Sequence, residues 1–180
     1  MNCTACSTGQ LAPCFLEPGL RAHECNHCGG HWLYVEDVVQ WKAGGGKLGE
    51  LDQMPEVEET ASALTCPVTG RLMQKYRIVS GSSHKLDYSP HTGGLWLDKG
   101  EWSLLKEYAL AGSVGNIVTE HWQRKIRTED AKASLEAVYR RKFGEANYRK
   151  LAEIRNWLAD QENCAEMRAF LLARDPYSGR

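Results

Sequence analysis

Two Cys-x-x-Cys pairs near the amino terminus restrict the possible folds of this chain more than any other feature. Cys3 and Cys6 form the first pair, Cys25 and Cys28 form the second, and eighteen residues separate the pairs. Two residues between cysteines let one tight turn direct both sulfurs at a single point. Two such turns, brought together by a short hairpin, form the four-sulfur cage that structural zinc prefers. The spacing therefore predicts one structural Zn²⁺ per chain, held by these four cysteines.

Other uses of the cysteines fit the sequence less well. A thiol–disulfide centre places its cysteine pair at the start of a helix in a βαβ unit, and no such unit surrounds either pair. Cys14 is an alternative ligand, although a buried or free thiol is the simpler interpretation. We interpret His23, His27 and His31 as surface groups or as neighbours of the ligands. Four thiolates close the coordination sphere, so no position at this metal remains for a substrate.

A short segment after the second cysteine pair recurs later in the chain. Residues 29–33 read GGHWL and residues 93–97 read GGLWL, which is four identities in five at an offset of 64. The four equivalent ligand positions in the second copy are Cys66, Thr69, Ser89 and Thr92. Hydroxyls are poor zinc ligands, so we predict that the second copy binds no zinc. An alternative metal site formed by Cys66, His84, Asp87 and His91 stays open at this point.

The repeated residues have direct structural roles. Gly29 and Gly93 permit a tight turn at dihedral angles that other residues resist. Trp32 and Trp96 provide the largest buried area of their modules and are predicted core residues. The D-x-x-E pattern of residues 98–101 predicts a capped helix start.

The string C-x-x-C…C-x-x-C-G-G-x-W-L resembles the bacterial zinc-ribbon family named after transcription factor IIB. The family pattern continues with D-x-G-E, which the second copy matches through Asp98 and Glu101, whereas the first copy has Tyr34 in place of the aspartate. The resemblance covers about eighty residues in two modules. It implies a small antiparallel hairpin that holds zinc, followed by a short helix, and a binding function rather than a specific activity.

We predict an α+β fold, with two small antiparallel β-hairpin modules, one metal-bound and one metal-less, followed by an α-helical C-terminal region. Glycines 44–46 and the acidic stretch that contains Asp52 and Pro55 indicate a flexible linker. The predicted segments are a zinc ribbon at 1–43, a flexible acidic linker at 44–63, a degenerate repeat at 64–111 and helices at 112–180.

Helical periodicity is clear in the last third of the chain. One apolar stripe contains Ala131, Leu135, Val138 and Tyr139. Thr128, followed by two acidic residues, is predicted to be a helix N-cap, and the basic residues before Gly144 predict a helix end there. Whether residues 114–143 form one helix or two, broken near Thr128, stays open.

The two ends of the chain differ in charge. Residues 1–43 carry a net charge of −2, and four thiolates with one Zn²⁺ would make this ribbon more negative still, which disfavours duplex DNA as its partner. Residues 121–158 carry a net charge of +5 with aromatic residues interleaved, a combination that can follow a phosphate backbone and stack on bases. The alternative is a solvated face with the aromatic side chains buried between helices. The candidate nucleic-acid contacts are Arg124, Lys125, Arg127, Arg140, Arg141, Lys142, Arg149 and Lys150.

These observations predict a non-enzymatic zinc-binding adapter that contacts an unidentified protein partner, in a transcription or regulatory complex. The alternative function is a nucleic-acid-binding regulator that uses the basic helices. We predict no catalytic residue and no small-molecule substrate, because the sequence has no Gly-rich phosphate loop, nucleophile elbow or H-E-x-x-H motif. We also expect a cytoplasmic protein without a membrane segment, because seven cysteines occur without a secretion signal or a long apolar run.

Overall fold

The computed structural model describes residues 1–51 and 56–178 of the chain. Asp52 and Pro55 of the predicted linker therefore lie outside the described residues. Six strands form one sheet in the order β1-β2-β3-β6-β5-β4, and every neighbouring pair is antiparallel. The strands are β1 (Leu11–Glu17), β2 (Leu20–Cys25), β3 (His31–Tyr34), β4 (Gln74–Arg77), β5 (Lys85–Ser89) and β6 (Gly94–Leu97).

The centre of the sheet is the pairing of β3 with β6. Trp32 lies opposite Trp96, and Leu33 lies opposite Leu95. Residue 32 corresponds to residue 96 in the sequence repeat, so the register relates the two segments by an approximate twofold axis through the tryptophan pair. Both indoles are fully buried, which confirms their prediction as core residues.

The two faces of the sheet have different covers. Leu33 and Leu95 point to the face covered by three helices, α1 (Val35–Ala43), α2 (Glu101–Glu107) and α3 (Val114–Ile117). Trp32 and Trp96 point to the opposite face, where they pack among cysteines, Leu64 and Met73. Alternation of side chains along each strand separates these two cores, and it places the cysteine-rich face away from the helices.

Part of the predicted linker contacts the sheet and α2. The Val57 side chain packs against the helical core. The Glu58 amide donates a hydrogen bond to the Lys99 carbonyl oxygen at 3.4 Å, and the Thr60 hydroxyl donates one to Asp98 at 2.8 Å. Residues 56–60 are therefore held by specific contacts.

The C-terminal helices are α4 (Glu120–Phe143), α5 (Glu145–Ala159) and α6 (Cys164–Leu172). Helix α4 ends before Gly144, whose φ is +78°, as the sequence predicts. The prediction of Thr128 as an N-cap is wrong, because α4 continues through it and its hydroxyl donates a hydrogen bond to the Arg124 carbonyl oxygen at 3.0 Å. A mid-helix threonine can satisfy its hydroxyl in this way without ending the helix.

The antiparallel sheet that precedes a helical C-terminal region confirms the mixed α and β character of the predicted fold. The chain divides into two compact units, residues 1–130 and residues 131–180. The predicted segment boundaries stay a prediction. Within the described residues, no helix has the length and apolar character needed to cross a membrane.

Candidate metal centre

Two turns at the open end of the β1–β2 hairpin carry the four predicted zinc ligands. Cys3 and Cys6 lie in a turn before β1, while Cys25 ends β2 and Cys28 lies in the turn before β3. In the second turn the Gly29 amide donates a hydrogen bond to the Cys25 carbonyl oxygen at 3.0 Å. Gly29 has a φ of +69°, which favours glycine at this position.

The sulfur atoms of the four cysteines form one compact cluster. All four Sγ atoms lie within 4.8 Å of one another. The Cys3 and Cys28 sulfurs are 3.7 Å apart, and the Cys6 and Cys25 sulfurs are 3.6 Å apart. A tetrahedral ion with zinc–sulfur bonds of about 2.3 Å places its sulfurs about 3.8 Å apart. The cluster thus has the dimensions of a structural zinc site.

Backbone N–H groups point at these sulfurs. The Gly9 amide lies 3.3 Å from the Cys6 sulfur, and the Cys6 amide lies 3.5 Å from the Cys3 sulfur. The His27 amide makes a similar contact of 3.5 Å with the Cys25 sulfur. Such donors stabilise negative charge on the ligands, so the turns favour thiolates at this centre.

The thiols differ in their environments. Burial raises the pKa of Cys3 to about 11 and also raises the pKa of Cys28. Hydrogen bonds from Thr8 lower the pKa of Cys6 to about 5. Four sulfurs at such short distances cannot all carry negative charge unless a cation compensates them. A divalent metal ion with thiolate affinity provides that compensation.

The equivalent positions of the second copy hold one thiol among hydroxyls. The Cys66 sulfur lies 3.7 Å from the Thr92 hydroxyl oxygen. Burial raises the pKa of Cys66, but the nearby hydroxyl side chains of Ser89 and Thr69 outweigh it and lower the pKa to about 7. The Gly93 amide donates a hydrogen bond to the Ser89 carbonyl oxygen at 2.9 Å, and Gly93 shares the φ of +69° seen at Gly29.

The structure does not bring together the alternative ligands of the second copy. Asp87 pairs with Lys75 at 2.8 Å, and His84 lies 3.6 Å from Glu59. His91 lies beside Arg71, whereas Cys66 contacts Thr92. These four side chains do not form a metal cluster in the described part of the chain.

A second ligand cluster was missed by the sequence reasoning. The side chains of Cys14, Glu24 and His31 have their sulfur, oxygen and nitrogen atoms within 4.8 Å of one another. Cys14 is thus separate from the four-sulfur centre. The intervals between these three residues in the sequence match no common metal-binding motif. Only the pairing register of β1, β2 and β3 could have predicted that their side chains lie close together.

The predicted nucleic-acid contacts all lie on α4 and α5. Arg140 pairs with Glu136 and Glu145, and Arg149 also pairs with Glu145. Further ion pairs join Lys125 to Glu129 and Arg127 to Glu120. The remaining candidates, Arg124, Arg141, Lys142 and Lys150, are exposed.

Comparison with known proteins shows that the first part of the chain is similar to one protein family. The family model described as transcription factor zinc-finger, the TFIIB zinc ribbon, matches residues 2–44. Neither the curated proteins nor the solved structures gave a match to this chain. The matched range contains the four clustered cysteines and the hairpins that position them. Residues 2–44 are therefore similar to the transcription factor zinc-finger family, and the match does not extend to the rest of the chain.

Proposed function

We propose that this chain is a non-enzymatic zinc-binding adapter, which acts through protein–protein contacts in a transcription or regulatory complex. One Zn²⁺ per chain, bound by Cys3, Cys6, Cys25 and Cys28, stabilises the amino-terminal ribbon. The C-terminal helices provide the contact surface for an unidentified protein partner.

A closed metal centre supports the non-enzymatic part of this proposal. Four sulfurs at tetrahedral spacing would occupy every position of a zinc ion. Zinc sites that act on substrates keep one position open for water or substrate. The ion at this centre would therefore stabilise the fold and take no part in a reaction.

We further propose that residues 64–111 are a degenerate zinc ribbon without metal. The shared φ of Gly29 and Gly93, and the symmetric pairing of Trp32 with Trp96, support a common origin of the two segments. A contact between the Cys66 sulfur and the Thr92 hydroxyl takes the place of the ion. Pairing with β3 then supplies stability that a small hairpin alone lacks.

The observation that carries the adapter proposal is the exposure of large apolar side chains on residues 131–178. Soluble monomers seldom expose many such side chains close together, and larger apolar patches mark interaction sites. Trp157 is 54% exposed, and Phe170 is 50% exposed. The other exposed members are Leu135, Val138, Tyr139, Phe143, Leu151, Ile154, Leu171, Leu172 and Tyr177.

The nucleic-acid alternative has support from exposure of the aromatic rings. Tyr139 and Phe143 are stacked on one side of α4 and partly exposed, so they can meet bases. Half of the eight candidate cations are engaged with carboxylates, however, which reduces the positive charge available to phosphates. The balance of charge and apolar exposure favours a protein partner.

Affinity capture with the zinc-loaded full chain tests the adapter proposal. We expect a protein partner that is retained by the parent chain and by Glu153→Ala, a matched exposed change on α5. Combined Leu151→Ala and Trp157→Ala should weaken the isolated complex by at least about tenfold, because truncation of large apolar anchors removes most binding energy. Equal retention by the parent and the double variant would contradict a role for this helical surface.

A gel-shift titration tests the alternative. If the basic helices bind nucleic acid, a shift at low salt should weaken as salt increases and disappear when Arg140, Arg141 and Lys142 are changed to glutamate. The adapter proposal instead predicts no shift at low salt. A salt-dependent shift lost in this variant would favour the nucleic-acid regulator.

A further inference from the structure

Three neighbouring strands bring together a thiol, a carboxylate and an imidazole. Glu24 on β2 lies directly opposite His31 on β3, and Cys14 on β1 lies opposite Ala22, two residues before Glu24. Side chains in these positions share one face of the sheet. Their ligand atoms all lie within 4.8 Å of one another.

The register explains how this cluster forms. A shift of one residue in either hairpin would move a member of the trio to the opposite face. The β1–β2 register is continuous from Leu11 to Phe15, and the β2–β3 register is held beside the structural metal centre. The fold that positions the four zinc cysteines therefore also positions Cys14, Glu24 and His31.

The three side chains are the three ligand types that zinc accepts. Thiolate, imidazole and carboxylate each bind Zn²⁺ at about 2.0–2.3 Å, and three protein ligands leave one position of a tetrahedral ion open. The thiolate and the carboxylate together neutralise the charge of a divalent ion. This set of ligands differs from the four-sulfur centre in two ways. It carries two negative charges instead of four, and it leaves one coordination position of the ion open.

Solvent reaches the cluster through a cleft. Cys14 and Glu24 both line a cleft of about 370 Å³, together with Asn26, His27 and Lys99. Cys14 and His31 are half-buried, whereas Glu24 is exposed. An ion held by this trio would have a route to solvent and room for an exchangeable ligand.

We propose that Cys14, Glu24 and His31 form a second metal site, an open site that binds Zn²⁺ reversibly. It binds more weakly than the four-sulfur centre, because it has three protein ligands and one of them is exposed. Its open position accepts water or a donor atom from another molecule. The site does not depend on the proposed adapter function.

Cobalt titration of the full chain tests the site. The protein is first loaded with one equivalent of Zn²⁺, which fills the four-sulfur centre, and Co²⁺ then serves as the spectroscopic probe. We expect one further equivalent to bind, with thiolate-to-cobalt charge-transfer absorption from Cys14. A weak chelator should remove this ion and leave the first zinc in place.

Matched variants assign the ligands. Cys14→Ser should abolish the charge-transfer absorption, and Glu24→Gln and His31→Gln should each weaken cobalt binding by at least about tenfold, since even the neighbours of metal ligands affect affinity on that scale. His27→Gln, at the wall of the same cleft, and Cys164→Ser, on α6, should bind as the parent does. Retention of one tightly held zinc verifies that each variant is folded.

Either of two results for the parent chain and Cys14→Ser would overturn the site. One is the absence of a second equivalent in the parent chain, and the other is unchanged cobalt binding in Cys14→Ser. Because Glu24 is exposed and its replacement leaves the strand intact, Glu24→Gln decides the question if His31→Gln fails to fold. Parent-like affinity in Glu24→Gln would exclude the proposed trio.

Discussion

At the scale of single residues, two glycines allow the central tryptophans to pack. A Cβ atom at Gly94 would lie 2.0 Å from Cζ2 of Trp32, and one at Gly30 would lie 2.3 Å from Cζ2 of Trp96. Each glycine thus accepts the indole of the opposite copy. The twofold relation of the β3–β6 pair places both close approaches at equivalent positions.

We predict that Gly94→Ala destabilises the chain by about 1–3 kcal/mol, because overpacking displaces a fully buried indole. Urea unfolding of the full chain, followed by tryptophan fluorescence, measures the change in the free energy of unfolding. The control is Gly112→Ala, whose Cβ would meet the flexible Lys42 side chain at 3.3 Å. Equal stabilities of Gly94→Ala and the control would show that the indole has room to move.

The two tryptophans differ in one polar contact. Nε1 of Trp96 donates a hydrogen bond to Asp98 at 2.8 Å. Tyr34 occupies the corresponding position of the first copy, and its ring packs edge-on against Trp32 at 5.9 Å. Among the described residues, Nε1 of Trp32 has no acceptor. The departure from the family pattern at Tyr34 therefore replaces a buried hydrogen bond by an aromatic contact.

At the scale of elements, the start of α2 depends on a buried carboxyl group. Glu101 accepts a hydrogen bond from the Asp98 amide at 2.8 Å. The predicted D-x-x-E cap is wrong, however, because α2 begins at Glu101 itself, with Gly100 as its N-cap and no side-chain cap. The Asp98 carboxylate instead binds Trp96 and Thr60. Burial, together with the nearby Asp98 and Asp87 charges, raises the pKa of Glu101 to about 9.

This carboxyl group predicts a pH-dependent stability. A folded-state pKa above the unfolded value of 4.5 means that the folded chain holds the proton over the interval up to about pH 9. Stability from this group is present below pH 4.5 and falls as pH rises, by at most about 1.4 kcal/mol per pH unit. Glu101→Gln keeps the acceptor and removes the titration.

Unfolding free energies of the parent and Glu101→Gln, measured from pH 5.5 to pH 8.5, test this prediction. The variant should gain stability relative to the parent as pH rises. The difference between the two proteins cancels the pH dependence of zinc binding that both share. A difference that is constant over this interval would show that Glu101 is ionised in the folded chain.

The sign of a threonine substitution distinguishes a continuous α4 from a helix that begins at Thr128. Because Thr128 lies inside α4, Thr128→Ala should be neutral or stabilise the helix by up to about 0.7 kcal/mol, through better helix propensity. Loss of an N-cap would destabilise it by about 1 kcal/mol. Circular dichroism and thermal unfolding measure the change, and destabilisation near 1 kcal/mol would contradict the continuous helix.

How much of the structure the sequence predicts depends on how far apart the interacting residues lie along the chain. The zinc ligands and the tight turns are encoded within a few residues, so Cys25, Cys28 and Gly29 could be interpreted directly. The β3–β6 pairing joins residues 60 to 66 positions apart, and no local pattern specifies that register. Thr128 was misinterpreted because a threonine before acidic residues has the same local pattern at an N-cap and inside a long helix.

At the scale of the whole molecule, the amino-terminal ribbon has only a small core of its own, and it forms one edge of the six-stranded sheet. Structural zinc contributes on the order of 10–16 kcal/mol in small peptides, whereas a two-stranded hairpin is marginal in water. β3 is shared between the zinc hairpin and the second half of the sheet. We therefore expect zinc loss to unfold β1 and β2 and to weaken the central pairing.

Metal analysis combined with hydrogen exchange of the full chain tests the role of zinc most directly. The chain should contain one tightly held zinc, and exhaustive chelation under reducing conditions should remove the exchange protection of β1 and β2. Cys25→Ser with Cys28→Ser should lose the same protection without chelation. Protected β1 and β2 amides after complete removal of zinc would contradict the claim that this ion holds the amino-terminal ribbon together.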